Sequence, residues 1–385
     1  MRERGVTRAG IRRGVRIGAV AAVVAAVLAG CAAPSGPPEL ALRRVDPAAV
    51  PGWDADPLDG VLPRLLADCT RLARLPPDAR LGGAAGTEAG GRAGLYGPAC
   101  RAASVLRNND RAALRGYLQT WFLFYEVSNG GDAEAQFSGY FEPEIAGSLS
   151  REPGYAVPVY ARPPELGPPG SAPVPRWTRA QIDRGALAGR GLELLWLRDP
   201  VDLFFLQVQG SGRVRLPSGQ IVRLGYDGRN GQPYVPLGRV LVGRGAIAPD
   251  AVSLQSIRNW LAAHPREAAS VMEQNPNYVF FRSADALYPD QGPVGALGVP
   301  LAPLRSAAVD RSFLPLGAPL FVAATDPDGA ALDRLMFAQD LGADVAGPTR
   351  ADLFFGWGAG AEAAAGRMRG GGRLFVLLPR QPAGS

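Results

Sequence analysis

Carboxylates, amides and aromatic rings set in glycine-framed strings are the groups in this sequence that could do chemistry. The strings are Ser138-Gly139-Tyr140-Phe141-Glu142-Pro143, Gln207-Val208-Gln209-Gly210-Ser211-Gly212, Tyr226-Asp227-Gly228-Arg229-Asn230-Gly231 and Gln274-Asn275-Pro276. A last pair runs from Asp340-Leu341-Gly342 to Asp352-Leu353-Phe354-Phe355-Gly356-Trp357-Gly358. Aromatic faces stack on sugar rings and planar amides satisfy ring hydroxyls, so a groove lined by such strings suits an oligosaccharide. Each string alone is a weak signal, because Gly-Ser-Gly and Asp-Gly more often make turns.

What the chain lacks narrows the chemistry further. It has no lysine, a single histidine (His264) and three cysteines (Cys31, Cys69, Cys100). A multi-histidine metal site and a paired-cysteine zinc module are excluded, and phosphate-loop chemistry loses its lysine. A Ser-His-Asp triad would have to use His264, which follows an amphipathic stretch in Ala262-Ala263-His264-Pro265 and reads as a helix-end residue. Carboxylates are left as the proton handlers, and no metal or nucleotide cofactor is expected.

The net charge of +6 resides mostly in the first thirty residues, where six arginines face one glutamate. The remainder is close to neutral, so no nucleic-acid partner is expected. An apolar run from Ile17 to Ala29 follows the basic start and ends in Leu28-Ala29-Gly30-Cys31. It is too short for a comfortable membrane span and resembles a bacterial lipoprotein signal. That resemblance implies cleavage after residue 30 and acylation of Cys31. Ala32 stands where an aspartate would retain the protein at the inner membrane, which implies the periplasmic face of the outer membrane. In that oxidising compartment Cys69 and Cys100 are permitted a disulfide, the alternative being two buried thiols.

The elements that must position these strings change character along the chain. Residues 31–57 are Pro- and Ala-rich and read as a tether. Leu114, Leu118, Trp121 and Tyr125 recur at helical spacing behind Asp110, which predicts a helix from Asp110 to Val127. From Phe137 on, short apolar segments punctuated by Gly and Pro suggest β-barrel strands, among them Leu203–Val208, Gln220–Leu224, Leu320–Ala323 and Leu374–Leu378. A helical interruption is predicted over Ser253–Met272, and a proline-dense loop over Ala161–Pro175.

Taken together and in order, the strings resemble the membrane-bound lytic murein transglycosylase A family. Gln207–Gly212, Asn275-Pro276-Asn277-Tyr278-Val279-Phe280-Phe281, Ala308-Val309-Asp310-Arg311-Ser312 with Pro315-Leu316-Gly317, and Asp340 to Trp357 carry the resemblance. It implies a mainly β fold with some helix: a double-psi β-barrel domain interrupted by a smaller β-rich insert, with a glycan groove between them. Carried onto this chain, the barrel comprises residues 58–143 and 282–385, with a 3D (three-aspartate) segment at about 300–380, and the insert comprises residues 144–281.

The resemblance also implies a reaction: cleavage of the β-1,4 bond between N-acetylmuramic acid and N-acetylglucosamine, leaving a 1,6-anhydro product. One carboxyl group suffices for this, because the C6 hydroxyl of the sugar attacks C1 in place of water. The family motif puts that acid at Asp352, whose neighbours Phe354, Phe355 and Trp357 would desolvate it and keep it protonated. Asp340 is implied as a neighbouring charge, and Asp310 as a third candidate that also suits pairing with Arg311 or capping a turn. Ser138, Tyr140, Gln207, Gln209, Gly212 and Asn275 are implied glycan or barrel contacts. The implied partners are peptidoglycan glycan strands and outer-membrane lipid through acylated Cys31. Cell-wall synthesis machinery is carried as a further partner class that no motif specifies.

One segment departs from the family pattern Asp-x-Gly-Gly-Ala-Ile-Lys-Gly. Here Asp340-Leu341-Gly342-Ala343-Asp344-Val345-Ala346-Gly347 lacks the second glycine and the lysine and gains Asp344. A drift of this kind leaves a rival reading, a non-catalytic wall-binding lipoprotein with an expansin-like barrel. An aspartic protease is remote, because neither acid carries the Asp-Thr/Ser-Gly signature.

Overall fold

The computed structural model describes residues 37–83, 91–107, 110–167, 174–284, 287–342 and 344–381. The signal segment, Cys31 and Ala343 lie outside the described residues, as do parts of the Gly-rich loop after Leu81 and of the proline-dense loop.

Residues 38–385 form one unit built on two sheets. The strands of the first half are β1 (Leu40–Val45), β2 (Phe122–Asn129), β3 (Ala135–Glu142), β4 (Glu144–Ser148), β5 (Val157–Tyr160), β6 (Glu193–Leu197), β7 (Gly212–Arg215), β8 (Ile221–Arg229) and β9 (Val279–Ser283). Those of the second are β10 (Ser306–Val309), β11 (Pro319–Thr325), β12 (Ala331–Asp340), β13 (Arg350–Trp357) and β14 (Arg369–Pro379). One sheet runs β1-β2-β14-β11-β12-β10-β13-β3, and a further β14–β3 pairing closes six of its strands into a barrel. Two of the barrel pairings, β10 with β12 and β3 with β13, are parallel and require crossovers. This is the double-psi barrel. The second sheet, β5-β6-β4-β7-β8-β9, lies entirely between β3 and β10, so the chain leaves the barrel at Glu142, builds the insert and returns.

Nine helices are present among the described residues: α1 (Val61–Leu72), α2 (Gly97–Ala103), α3 (Arg111–Trp121), α4 (Arg179–Asp183), α5 (Pro200–Gln209), α6 (Leu237–Gly243), α7 (Leu254–Ala263), α8 (Pro265–Met272) and α9 (Gly358–Arg367). A disulfide between Cys69 and Cys100 joins α1 to α2.

Several expectations need correction. Asp110 does cap its helix, its side chain accepting from the Ala113 N–H, but the helix stops at Trp121 rather than Val127. From Phe122 the burial alternates as in a strand, and the aromatic and β-branched run pairs with both β1 and β14. Leu203–Val208 is the interior of α5, not a strand. Asp199 caps it, Pro200 occupies its first turn, and Gly210 ends it in the left-handed conformation at φ 78°. Leu203, Phe204, Phe205 and Leu206 are all buried, so the run is apolar around the helix and shows no helical period. The 253–272 helix is two helices, broken where Pro265 cannot donate a backbone hydrogen bond; His264 sits at the break with its ring stacked on Trp260 at 4.3 Å. The tether is also shorter than residue 57. Leu40–Val45 already pairs with β2, and Trp53, 1% exposed, packs edge-on against Phe124 and Phe321.

Candidate active site at the barrel edge

The parallel register of β3 and β13 sets Ser138 beside Asp352, Tyr140 beside Phe354, and Glu142 beside Trp357. Gly139, read from sequence as half of a turn, lies inside β3. A Cβ there would come within 2.7 Å of the Ala365 backbone, so glycine lets α9 pack directly on the strand. The Ser138 hydroxyl donates to Oδ1 of Asp352, and Arg350 Nη2 donates to Ser138 Oγ at 3.2 Å while lying 3.8 Å from the same Oδ1. The Asp352 side chain retains 20% of its exposure. Burial raises its pKa above the usual carboxylate value, against the opposing hydrogen bond from Ser138 and the Arg350 charge.

Asp340, at the end of β12, accepts from the Tyr140 hydroxyl at 3.0 Å and from the Ala296 N–H at 3.0 Å. Burial pushes its pKa up to about 6, with Asp352 adding to the rise and the Leu341, Ala296 and Tyr140 donors opposing it. Tyr140 thus stands between the two acids, its own phenol held well above the ordinary value by burial and then by Asp340. Asp344 belongs to the same cluster: its pKa is raised by burial and by Asp352, and lowered by Arg239 and Arg350.

The other sequence candidates are distributed differently. Asp310 does not pair with Arg311. Its two oxygens accept from the Ser312 and Gly347 N–H groups at 2.9 Å each, which pins the loop between β12 and β13. Gln209 bridges the sheets, accepting the Phe141 N–H at 3.1 Å. Gln207, 4% exposed, donates to the Val279 carbonyl and ties α5 to β9; it does not face a ligand. Asn275, 1% exposed, accepts from the Val235 and Asn277 N–H groups and organises a loop. Gly212 is a packing glycine, since a Cβ there would lie 2.3 Å from Leu206. These three are corrections to the groove-contact expectation, and their common cause is burial.

Sequence reasoning assigned no role to two features. Arg350 was one; its alternation with Asp352 along a strand was the available signal. The other is a buried knot where the two sheets meet. Glu142, 1% exposed, accepts from Arg213 Nε at 2.8 Å and from Arg223 Nη2 at 2.8 and 2.9 Å. The Arg213 guanidinium also lies 4.2 Å over the Trp357 ring and donates to the Pro289 and Gln291 carbonyls.

A closed double-psi barrel carrying an inserted sheet, with a hydrogen-bonded, desolvated aspartate at its edge, defines a mainly β carbohydrate-active class. Residues 136–282 match the MltA specific insert domain and residues 305–378 the 3D domain. The chain is 35% identical over 285 residues to the membrane-bound lytic murein transglycosylase A of Vibrio cholerae, covering 71% of this chain and 73% of that protein. Among solved structures it is similar to a membrane-bound lytic murein transglycosylase from Agrobacterium tumefaciens, with TM-score 0.78, 32% identity, and coverage of 88% of this chain and 98% of that one. It is also similar to Escherichia coli MltA with bound chitohexaose, with TM-score 0.66, 26% identity, and coverage of 90% and 96%. The chain belongs to the membrane-bound lytic murein transglycosylase A family.

Proposed function

We propose that this protein is a peptidoglycan lytic transglycosylase in which Asp352 acts first as general acid and then as general base. The observation that carries the reading is the Asp352 carboxyl itself, desolvated enough to hold a proton above the usual carboxylate range yet partly exposed. The protonated carboxyl gives its proton to the oxygen bridging N-acetylmuramic acid and N-acetylglucosamine as the bond from C1 to that oxygen breaks. The carboxylate then takes the proton of the C6 hydroxyl as O6 bonds to C1. Asp352 is regenerated, no water is consumed, and a second carboxylate is unnecessary because the attack is intramolecular. Asp340 acts as a buried partner that holds Tyr140 and adds negative charge near Asp352. Asp310 acts as a loop anchor. Ser138, Tyr140 and Gln209 remain the glycan-facing candidates.

The chitohexaose bound by the E. coli relative supports a β-1,4-linked amino-sugar strand as the substrate class here. In this reading residues 58–143 and 282–385 form the catalytic barrel, and 144–281 the insert that completes the groove. No helix among the described residues is long and apolar enough to cross a membrane. An acyl chain on Cys31 is the proposed anchor, at the periplasmic face of the outer membrane. Release of soluble fragments from purified peptidoglycan tests the assignment: Asp352→Asn should lower the rate at least about 100-fold while wall binding persists. Parent-like release by this variant would remove Asp352 from the role, and wall binding without release by the parent would indicate a non-catalytic lipoprotein.

A further inference from the structure

We propose that Arg350 is a positioning residue that acts through Ser138, fixing its hydroxyl on Oδ1 of Asp352 and leaving Oδ2 as the oxygen that exchanges the proton with substrate. This rests on the assignment of Asp352 as the acid. A guanidinium can only donate, so the contact from Arg350 Nη2 at 3.2 Å occupies a Ser138 lone pair and turns the serine proton away from the arginine. That proton goes to Asp352 Oδ1. Alternation along β13 keeps Arg350 and Asp352 on one face, and the parallel register delivers Ser138 beside them, so the three form a relay set by the sheet. With Oδ1 accepting, the acid form of Asp352 carries its proton on Oδ2. That oxygen faces the loop at Gly342, where a Cβ would stand 3.5 Å from it and 2.4 Å from Val345.

The proton balance follows. Oδ2 gives its proton to the glycosidic oxygen, the resulting anion is held by Ser138 and Arg350, and the C6 hydroxyl returns a proton to Oδ2. The charged and titratable groups around Asp352 are Arg350 on its own strand, Tyr140 on β3, Asp340 at the end of β12, and Asp344 on the following loop. Arg239 of α6 faces Asp344, whereas β10 brings only Ala308 alongside.

The test compares parent, Ser138→Ala, Arg350→Gln, Arg350→Lys and the Ser138→Ala/Arg350→Gln double variant on purified peptidoglycan, with chitohexaose affinity measured for each. Arg350→Gln is expected to lower kcat about 10- to 100-fold with KM nearly unchanged. Its high-pH limb should move upward, because without the cation Asp352 keeps its proton to higher pH. Arg350→Lys should recover much of the loss, and the double variant should be no slower than the slower single variant. Losses that multiply, an unmoved limb, or chitohexaose affinity lost in both arginine variants would overturn the proposal. Parent-like activity in Asp352→Asn would instead overturn the underlying assignment, so the two failures are distinguishable.

Discussion

Asp340 and Asp352 show how one barrel edge gives two carboxyl groups different work. Asp340 is enclosed and takes hydrogen bonds on both oxygens, whereas Asp352 has one oxygen held by Ser138 and keeps part of its surface open. The pKa of Asp340, raised from 3.8 to about 6, has a consequence for stability. Its protonated form is the one favoured by folding, so that contribution is present below the ordinary value and is lost as pH rises through about 6. Asp340→Asn removes the titration. Thermal melting is expected to show the variant gaining relative to the parent between about pH 4.5 and about pH 7.5, and a constant difference would contradict the burial argument. At this scale the motif made Asp352 legible, because its acid and aromatic neighbours are contiguous in sequence. Arg350 was visible as a letter but not as a contact. Its partner Ser138 is 212 residues away, and only the β3–β13 register brings them together.

Among the elements, β3 carries the most: Ser138 and Tyr140 for the site, Glu142 for the seam, and Gly139 for the close approach of α9. Gly139→Ala places a methyl against the Ala365 backbone and the Phe355 ring. A loss of about 1–3 kcal/mol in denaturant unfolding is expected, together with reduced activity as β13 shifts; unchanged stability would show that α9 can move aside. Strand β3 was marked in the sequence by its motif, and β11 and β14 by their apolar texture. Helix α5 was not, because an apolar run buried on every side carries no period, and only its caps, Asp199, Pro200 and Gly210, distinguish it from a strand. The end of α3 was missed for the opposite reason. Its helical spacing continues by chance through Tyr125 while the chain has already entered β2, and pairing with β1 and β14 prevails over local pattern.

At the scale of the whole molecule, two sheets are joined where β3 passes into β4, and the Glu142 knot sits at that junction with Arg213 on β7 and Arg223 on β8. Glu142→Gln leaves two buried guanidiniums without their counter-charge, for a cost on the order of 3–5 kcal/mol by chemical denaturation. Chitohexaose affinity should weaken as well, since the knot sets the insert against the barrel. Full stability in this variant would mean that the backbone carbonyls of Pro289 and Gln291 suffice to hold the arginines. The order of motifs made the barrel-and-insert plan readable from sequence, but this seam was not, because its three charged residues are spread over 82 positions and resemble ordinary surface charges. The central claim is that the C6 hydroxyl of the sugar, and not water, closes the reaction. Digestion of peptidoglycan in water enriched in oxygen-18, followed by mass analysis of the released fragments, tests it most directly. Products lighter by one water than hydrolytic fragments and free of label are expected, whereas label at the new reducing ends would show that water attacks C1 and would contradict the account.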